Sequence, residues 1–154
     1  VVGSEKIINK TKILIDRDCI LLTENLDIIP VYREVKAGEI IENNDFLFHW
    51  NYDKRPKIFL KDPSFEYVDA EHFNNKLIIR NLDNDDTFSP LGLSGTKKVN
   101  QYLTDQKVSS IDKDKTLAVC NEKDIVWLAG KQISNNYKLT KKSKLIAKLN
   151  FLRK

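Results

Sequence analysis

Methionine is absent from these 154 residues, and cysteine, histidine, proline and glycine are scarce, at two, two, four and five. Each shortage removes a class of interpretation. Cys19 and Cys120 form no CxxC pair, so a disulfide scaffold is excluded and free thiols in a reducing, cytoplasmic compartment are expected. His49 and His72 lack partners at metal-ligand spacing, so no metal site is assigned. His49, beside Trp50 in an apolar run, reads as a core or rim histidine. No apolar run approaches the roughly 20 residues that cross a bilayer, and no membrane partner is expected. Glycine-rich phosphate loops are excluded too: Gly95 is followed by Thr96 and two lysines, not by the GK[ST] of a P-loop. Asp83, Asp85 and Asp86 begin like a calcium loop, but Phe88 and Ser94 occupy its glycine and glutamate positions. No GxSxG elbow is present. No catalytic residue is assigned, and the chain reads as a recognition module.

What is present is charge, unevenly placed. The net charge is +4. Residues 1–68 and 69–130 are each slightly acidic, whereas Lys131–Lys154 carries eight Lys/Arg and no acid. Such a block marks a polyanion-binding surface or a solubilising terminus. Leu139, Leu145, Ile146, Leu149 and Phe151 interleave with the lysines, so the segment is expected to be folded.

The length suits one domain, which can bury roughly 68–70% of its unfolded surface. The opening Val1-Val2-Gly3-Ser4 reads as the start of a fragment of a longer protein or as a tag remnant. Residues 1–75 read mainly as strands. Lys12–Asp16 and Cys19–Thr23 make a hairpin about Arg17-Asp18, and Asp27–Val35 is turned toward an edge by Pro30. Strands are also expected at Phe46–Tyr52, Lys57–Leu60, Phe65–Val68 and Lys76–Arg80. A hairpin follows at Thr116–Cys120 and Ile125–Ala129. Thr140–Ser143 reads as a helical turn, and Lys144–Phe151 as a strand by its period of two, although Leu145 and Leu149 also fit a helix. The expectation is an α+β, strand-rich or sandwich-like domain.

Phe88–Val108 (FSPLGLSGTKKVNQYLTDQKV) is the most informative stretch. Turn residues Pro90-Leu91-Gly92 and Ser94-Gly95 lead to a helix capped by Ser94 or Thr96, burying Val99, Tyr102, Leu103 and Gln106 on one face. Lys97 and Lys98 then fall in its first turn, where the helix dipole disfavours cations by roughly 0.3–1 kcal/mol each. A bound phosphate would account for them; a solvated surface pair is the alternative.

The succession KLIIRN, DDTFSPLGLSGTKKVNQYLTDQKV, IVWLAGKQIS and YKLT resembles the C-terminal domain of bacterial tRNA(Ile)-lysidine synthases. The resemblance rests on Arg80, on Asp86 and Phe88, on Pro90 and Gly92, and on Lys97-Lys98 with Asp105 and Lys107. Trp127 and Gly130 complete it. The chain departs from the pattern at Leu82 and Thr87, and at Lys131, which keeps a positive charge without the guanidinium's paired donors.

The resemblance implies one C-terminal tRNA-binding domain over residues 1–154, with a family core over 76–150. It implies an unusual β-sandwich similar to a domain of the phenylalanyl-tRNA synthetase β-subunit. It also implies a parent ligase that joins lysine to cytidine 34 of a CAU anticodon with ATP and Mg, on a PP-loop domain whose SGGxDS motif this chain lacks. The expected partners are the tRNA(Ile) acceptor stem and that catalytic domain. The candidate tRNA-binding residues are Lys97, Lys98, Lys107, Arg80, Lys131, Lys138 and Lys141. The competing expectation is a protein-interaction or homodimerisation domain that does not touch RNA.

Overall fold

The computed structural model describes residues 5–8, 11–15, 17–24 and 30–154. Strands β1 (Glu5–Ile8), β2 (Thr11–Ile15) and β3 (Ile20–Glu24) pair as an antiparallel meander. After it come β4 (Tyr32–Lys36), β5 (Ile40–Glu42), β6 (Phe46–Asp53), β7 (Phe65–Asp69) and β8 (Lys76–Asn81). Two short strands, β9 (Thr87–Phe88) and β10 (Lys97–Lys98), precede helices α1 (Val99–Asp105) and α2 (Ser110–Lys115). The chain closes with β11 (Leu117–Asn121), β12 (Asp124–Leu128), β13 (Gln132–Ile133), a 3-10 turn at Asn135–Tyr137 and β14 (Ile146–Arg153).

Two antiparallel sheets form the body, ordered β13-β12-β11-β8-β4 and β5-β6-β14-β7. Period-two alternation makes them a sandwich. On β6, Phe46, Phe48 and Trp50 are buried while Leu47 and His49 are only half covered. Leu77 and Ile79 of β8, and Ala147, Leu149 and Phe151 of β14, join the same core. The Trp50 indole N–H donates to the Val35 carbonyl at 2.9 Å, tying the second sheet to edge strand β4 of the first.

The far side of the five-stranded sheet carries a second apolar layer. Ala118, Cys120, Ile125 and Leu128 meet Phe88 and the Val99, Tyr102, Leu103 face of α1. A β-bulge lets β12 serve both layers. Val119 lies opposite Trp127 and Cys120 opposite Ile125, which leaves Val126 as the extra residue. Val126 and Trp127 therefore both enter the sandwich core, while Ile125 and Leu128 face the helix. Burial raises the Cys120 thiol to about 11, so it stays protonated and inert, and Cys19 is a separate, exposed free thiol.

Five expectations are corrected. Lys57–Leu60 is not a strand but part of a long exposed loop between β6 and β7. Lys97 and Lys98 do not form the first helical turn, because their backbone pairs with Phe88 and Thr87. Helix α1 starts only at Val99, and neither Ser94 nor Thr96 caps it: Lys98 occupies the cap position without a side-chain hydrogen bond. Gln106 is the exposed C-cap, outside the buried face. Thr140–Ser143 is a turn and not a helix, closed by the Ser143 N–H donating to the Thr140 carbonyl. The Asp27–Ile29 part of the Pro30 segment lies outside the described residues.

Candidate nucleic-acid interface

The segment Thr87–Leu91 organises several of the lysines singled out in the sequence. On one side, Thr87 and Phe88 pair with Lys98 and Lys97. Farther along, the Asn135 N–H donates to the Ser89 carbonyl and the Leu91 N–H to the Ile133 carbonyl. Backbone hydrogen bonds thus link β10, with Lys97 and Lys98, to the β13 region, whose preceding turn carries Lys131 and whose following turn ends at Lys138. Lys131, Lys138 and Lys141 are exposed, and no ion pair among the described residues involves them.

The lysines beside α1 are placed differently. The Lys97 ammonium contacts the Asp105 carboxylate, which also accepts from Gln101 at 2.8 Å. These hydrogen bonds, that from Lys97 foremost, hold the Asp105 carboxyl below its usual range. Lys98 lies 4.0 Å from exposed Asp85. Both lysines keep solvent contact, with side chains 35% and 65% exposed, so the pairs are screened by salt and open to exchange with another anion. The helix-start donor of Val99 is already given to the Asp86 carbonyl at 2.9 Å. With that donor engaged and only seven residues in the helix, the cationic character of this spot comes chiefly from the two ammonium groups.

Arg80 is not a surface cation. Its guanidinium makes a two-pronged contact with Asp86 at 2.8 and 2.9 Å and donates to the Asn81 carbonyl, with the pair's side chains only 15% and 12% exposed. Burial pushes the Asp86 carboxyl up, but the Arg80 bonds and the Asp83 N–H outweigh it and hold the group below the carboxylate range. Arg80 thus acts through Asp86. The same aspartate closes the polar loop onto Asp83 through its side chain and receives the Val99 N–H on its carbonyl. Asp83 and Asp86 are spent on this loop closure.

Lys107 follows α1 at φ 59°, in the left-handed region. The Val108 N–H reaches the Leu103 carbonyl and the Lys107 N–H the Thr104 carbonyl, a Schellman ending in which glycine is the usual occupant. The Arg17 guanidinium donates to the Lys107 and Thr104 carbonyls as well. Replacing Lys107 by Gly relieves the left-handed strain and is expected to raise stability by up to about 1 kcal/mol. Urea midpoints of the wild type and of Lys107→Gly check it.

The comparisons with known proteins follow this geometry. No protein-family model matches the chain. Among solved structures, the crystal structure of a TilS C-terminal domain superposes with a TM-score of 0.65, over 79% of this chain and 97% of that one, at 15% identity. The fold is that of the lysidine synthase C-terminal domain. Sequence similarity points the same way. The tRNA(Ile)-lysidine synthase of Parabacteroides distasonis is 32% identical over 92 residues, 60% of this chain and 21% of that protein. The tRNA(Ile)-lysidine synthase of Clostridium perfringens strain 13 is 29% identical over 122 residues, 75% of this chain and 25% of that protein. The chain spans about a fifth to a quarter of the curated lysidine synthases it matches.

Arg55 escaped notice in the sequence. Its guanidinium donates to the Thr140 and Ser143 carbonyls at 2.6 and 3.3 Å, joining the β6–β7 loop to the turn that carries Lys141. Ser143 in turn contacts Asp69. Only the pairing of these two distant segments reveals the role, and no spacing in the sequence signals it. No helix among the described residues is long and apolar enough to cross a membrane.

Proposed function

We propose that this chain is the tRNA-recognition domain of a tRNA(Ile)-lysidine synthase. It binds the acceptor region of tRNA(Ile) while a PP-loop domain uses ATP and Mg to join lysine to cytidine 34 of the CAU anticodon in the cytoplasm. The catalytic machinery belongs to that other domain. The observation that carries this proposal is the exposure of Lys131, Lys138 and Lys141 on turns beside a β-sandwich of lysidine synthase type, within a segment of eight cations and no acid. Lys97, Lys98 and Lys107 extend the contact, and Arg80 positions it through Asp86.

A-form RNA presents phosphates and 2′-hydroxyls while its base edges stay deep in a narrow groove, so lysines on turns suit shape and backbone recognition. If about four phosphates are engaged, the logarithm of the association constant should fall with that of salt concentration at a slope near −3 to −4. Anisotropy titrations of folded tRNA at several salt concentrations measure that slope. An acceptor-stem hairpin should compete as well as whole tRNA, and an anticodon hairpin should not. Equal competition by both hairpins would overturn the acceptor assignment.

A second reading has its own observation. Ile40 and Leu152 are 62% and 56% exposed in the four-stranded sheet, apolar side chains that association with a second copy would cover. Sedimentation separates the two readings: a stable dimer indifferent to tRNA favours dimerisation.

A further inference from the structure

The loop between β6 and β7 exposes three consecutive large apolar side chains, Ile58, Phe59 and Leu60, at 75%, 64% and 70%. Both ends of the loop are held. Arg55 ties one end to the Thr140–Ser143 turn. At the other, the Ser64 carbonyl accepts the Phe151 N–H at 2.8 Å, and the Pro63 carbonyl lies beside Gly130, next to Lys131. The apolar run is therefore strung between the turns bearing Lys131 and Lys141. Residues 54–61 and 138–144 together carry eight cations and no acid.

This charge selects the occupant. An apolar protein surface would need no such surround, whereas a polyanion with flat apolar faces satisfies both features. Unpaired nucleotides have that character: their phosphates seek lysine, and any base stacks on an exposed aromatic ring. Paired bases are already stacked and offer no such face.

We propose that residues 56–61 form a binding element for unpaired RNA nucleotides, with the Phe59 ring stacking on a base. Lys57, Lys61, Lys138 and Lys141 hold the adjoining phosphates. The proposal deepens the tRNA-recognition reading and rests on it: in the acceptor region the unpaired nucleotides are those of the 3′ end.

The test uses this chain with folded tRNA(Ile), with the same tRNA lacking its unpaired 3′ nucleotides, and with a twelve-nucleotide single-stranded RNA. Removing the 3′ nucleotides should weaken wild-type binding about tenfold, the size of one base–aromatic stack. Phe59→Ala should weaken binding of intact tRNA by the same factor and leave the truncated tRNA unaffected, while Phe59→Trp keeps wild-type affinity. Equal losses on both tRNAs, or none on either, would overturn the proposal. If the chain fails to bind folded tRNA but binds the single strand in a Phe59-dependent way, the acceptor reading falls and this element stands. Phe59-dependent binding to phosphatidylglycerol vesicles, or Phe59-dependent dimerisation, with RNA affinity untouched, would overturn it in favour of a lipid surface or a second copy.

Discussion

Lys138→Glu combined with Lys141→Glu is expected to weaken binding of folded tRNA by roughly a hundredfold at moderate salt, with the fold unchanged. Both side chains are exposed on turns, and neither makes an ion pair among the described residues, so charge reversal breaks no internal contact. Each lysine that neutralises a phosphate releases about one counterion, so the salt slope should become shallower by about two. Affinity and slope must move together; a loss of affinity at constant slope would mean a conformational effect. Lys97→Glu with Lys98→Glu is a less clean experiment. A glutamate at position 97 would face Asp105, so stability should fall along with affinity. Thermal melts of both double variants, set beside their titrations, separate contact from collateral damage.

Asp86→Ala is expected to be the most destabilising single change near the site, at about 3–5 kcal/mol, because it strands the Arg80 guanidinium in a largely buried position. Against a typical total of about 5–15 kcal/mol, that is a large fraction of the fold's stability. The double variant Arg80→Met with Asp86→Leu should recover most of the loss, since removing both charges leaves neither unpaired. The pH dependence has a definite sign. The folded-state pKa of Asp86 is depressed, so its contribution is fully present above the unfolded value of about 3.9 and is lost as pH falls through the lower folded value. Asp86→Ala should therefore flatten the acid limb of the stability profile. Urea unfolding of the wild type and of Asp86→Ala from pH 7 down to pH 2 measures the limb, and urea midpoints of the double variant at neutral pH check the recovery.

Legibility in the sequence followed the range of the forces involved. Phe46–Tyr52 and Lys76–Arg80 were visible as short apolar runs and Lys144–Phe151 by its period of two, and the strands formed there span Phe46–Asp53, Lys76–Asn81 and Ile146–Arg153. The hairpin about Arg17-Asp18 was visible as two apolar, β-branched-rich runs separated by a polar pair. The buried face of α1 was legible, but its start was not, since Lys97 and Lys98 are claimed by pairing with Thr87 and Phe88 ten residues or so upstream. Ile58-Phe59-Leu60 has the composition of a strand, yet it lacks a partner strand, and composition alone cannot supply one. Helix α2 is short and buries no residue, so it left no apolar period to detect.

At the candidate site, residue types were legible and their partners were not. Arg80 read as a surface cation because Asp86, six residues on, gave no sign that it would fold back onto it. Lys131, Lys138 and Lys141 are exposed, as expected of cations in a segment, Lys131–Lys154, that holds no acid.

Trp50 and Trp127 are completely buried, one bonded to Val35 and the other packed edge-on against Phe151. Their emission should therefore respond to denaturant and stay nearly constant when an RNA occupies the turns outside. Intrinsic fluorescence of this molecule becomes a gauge of its own integrity, and an engineered Phe59→Trp would add an indole at the surface whose quenching tracks occupancy instead.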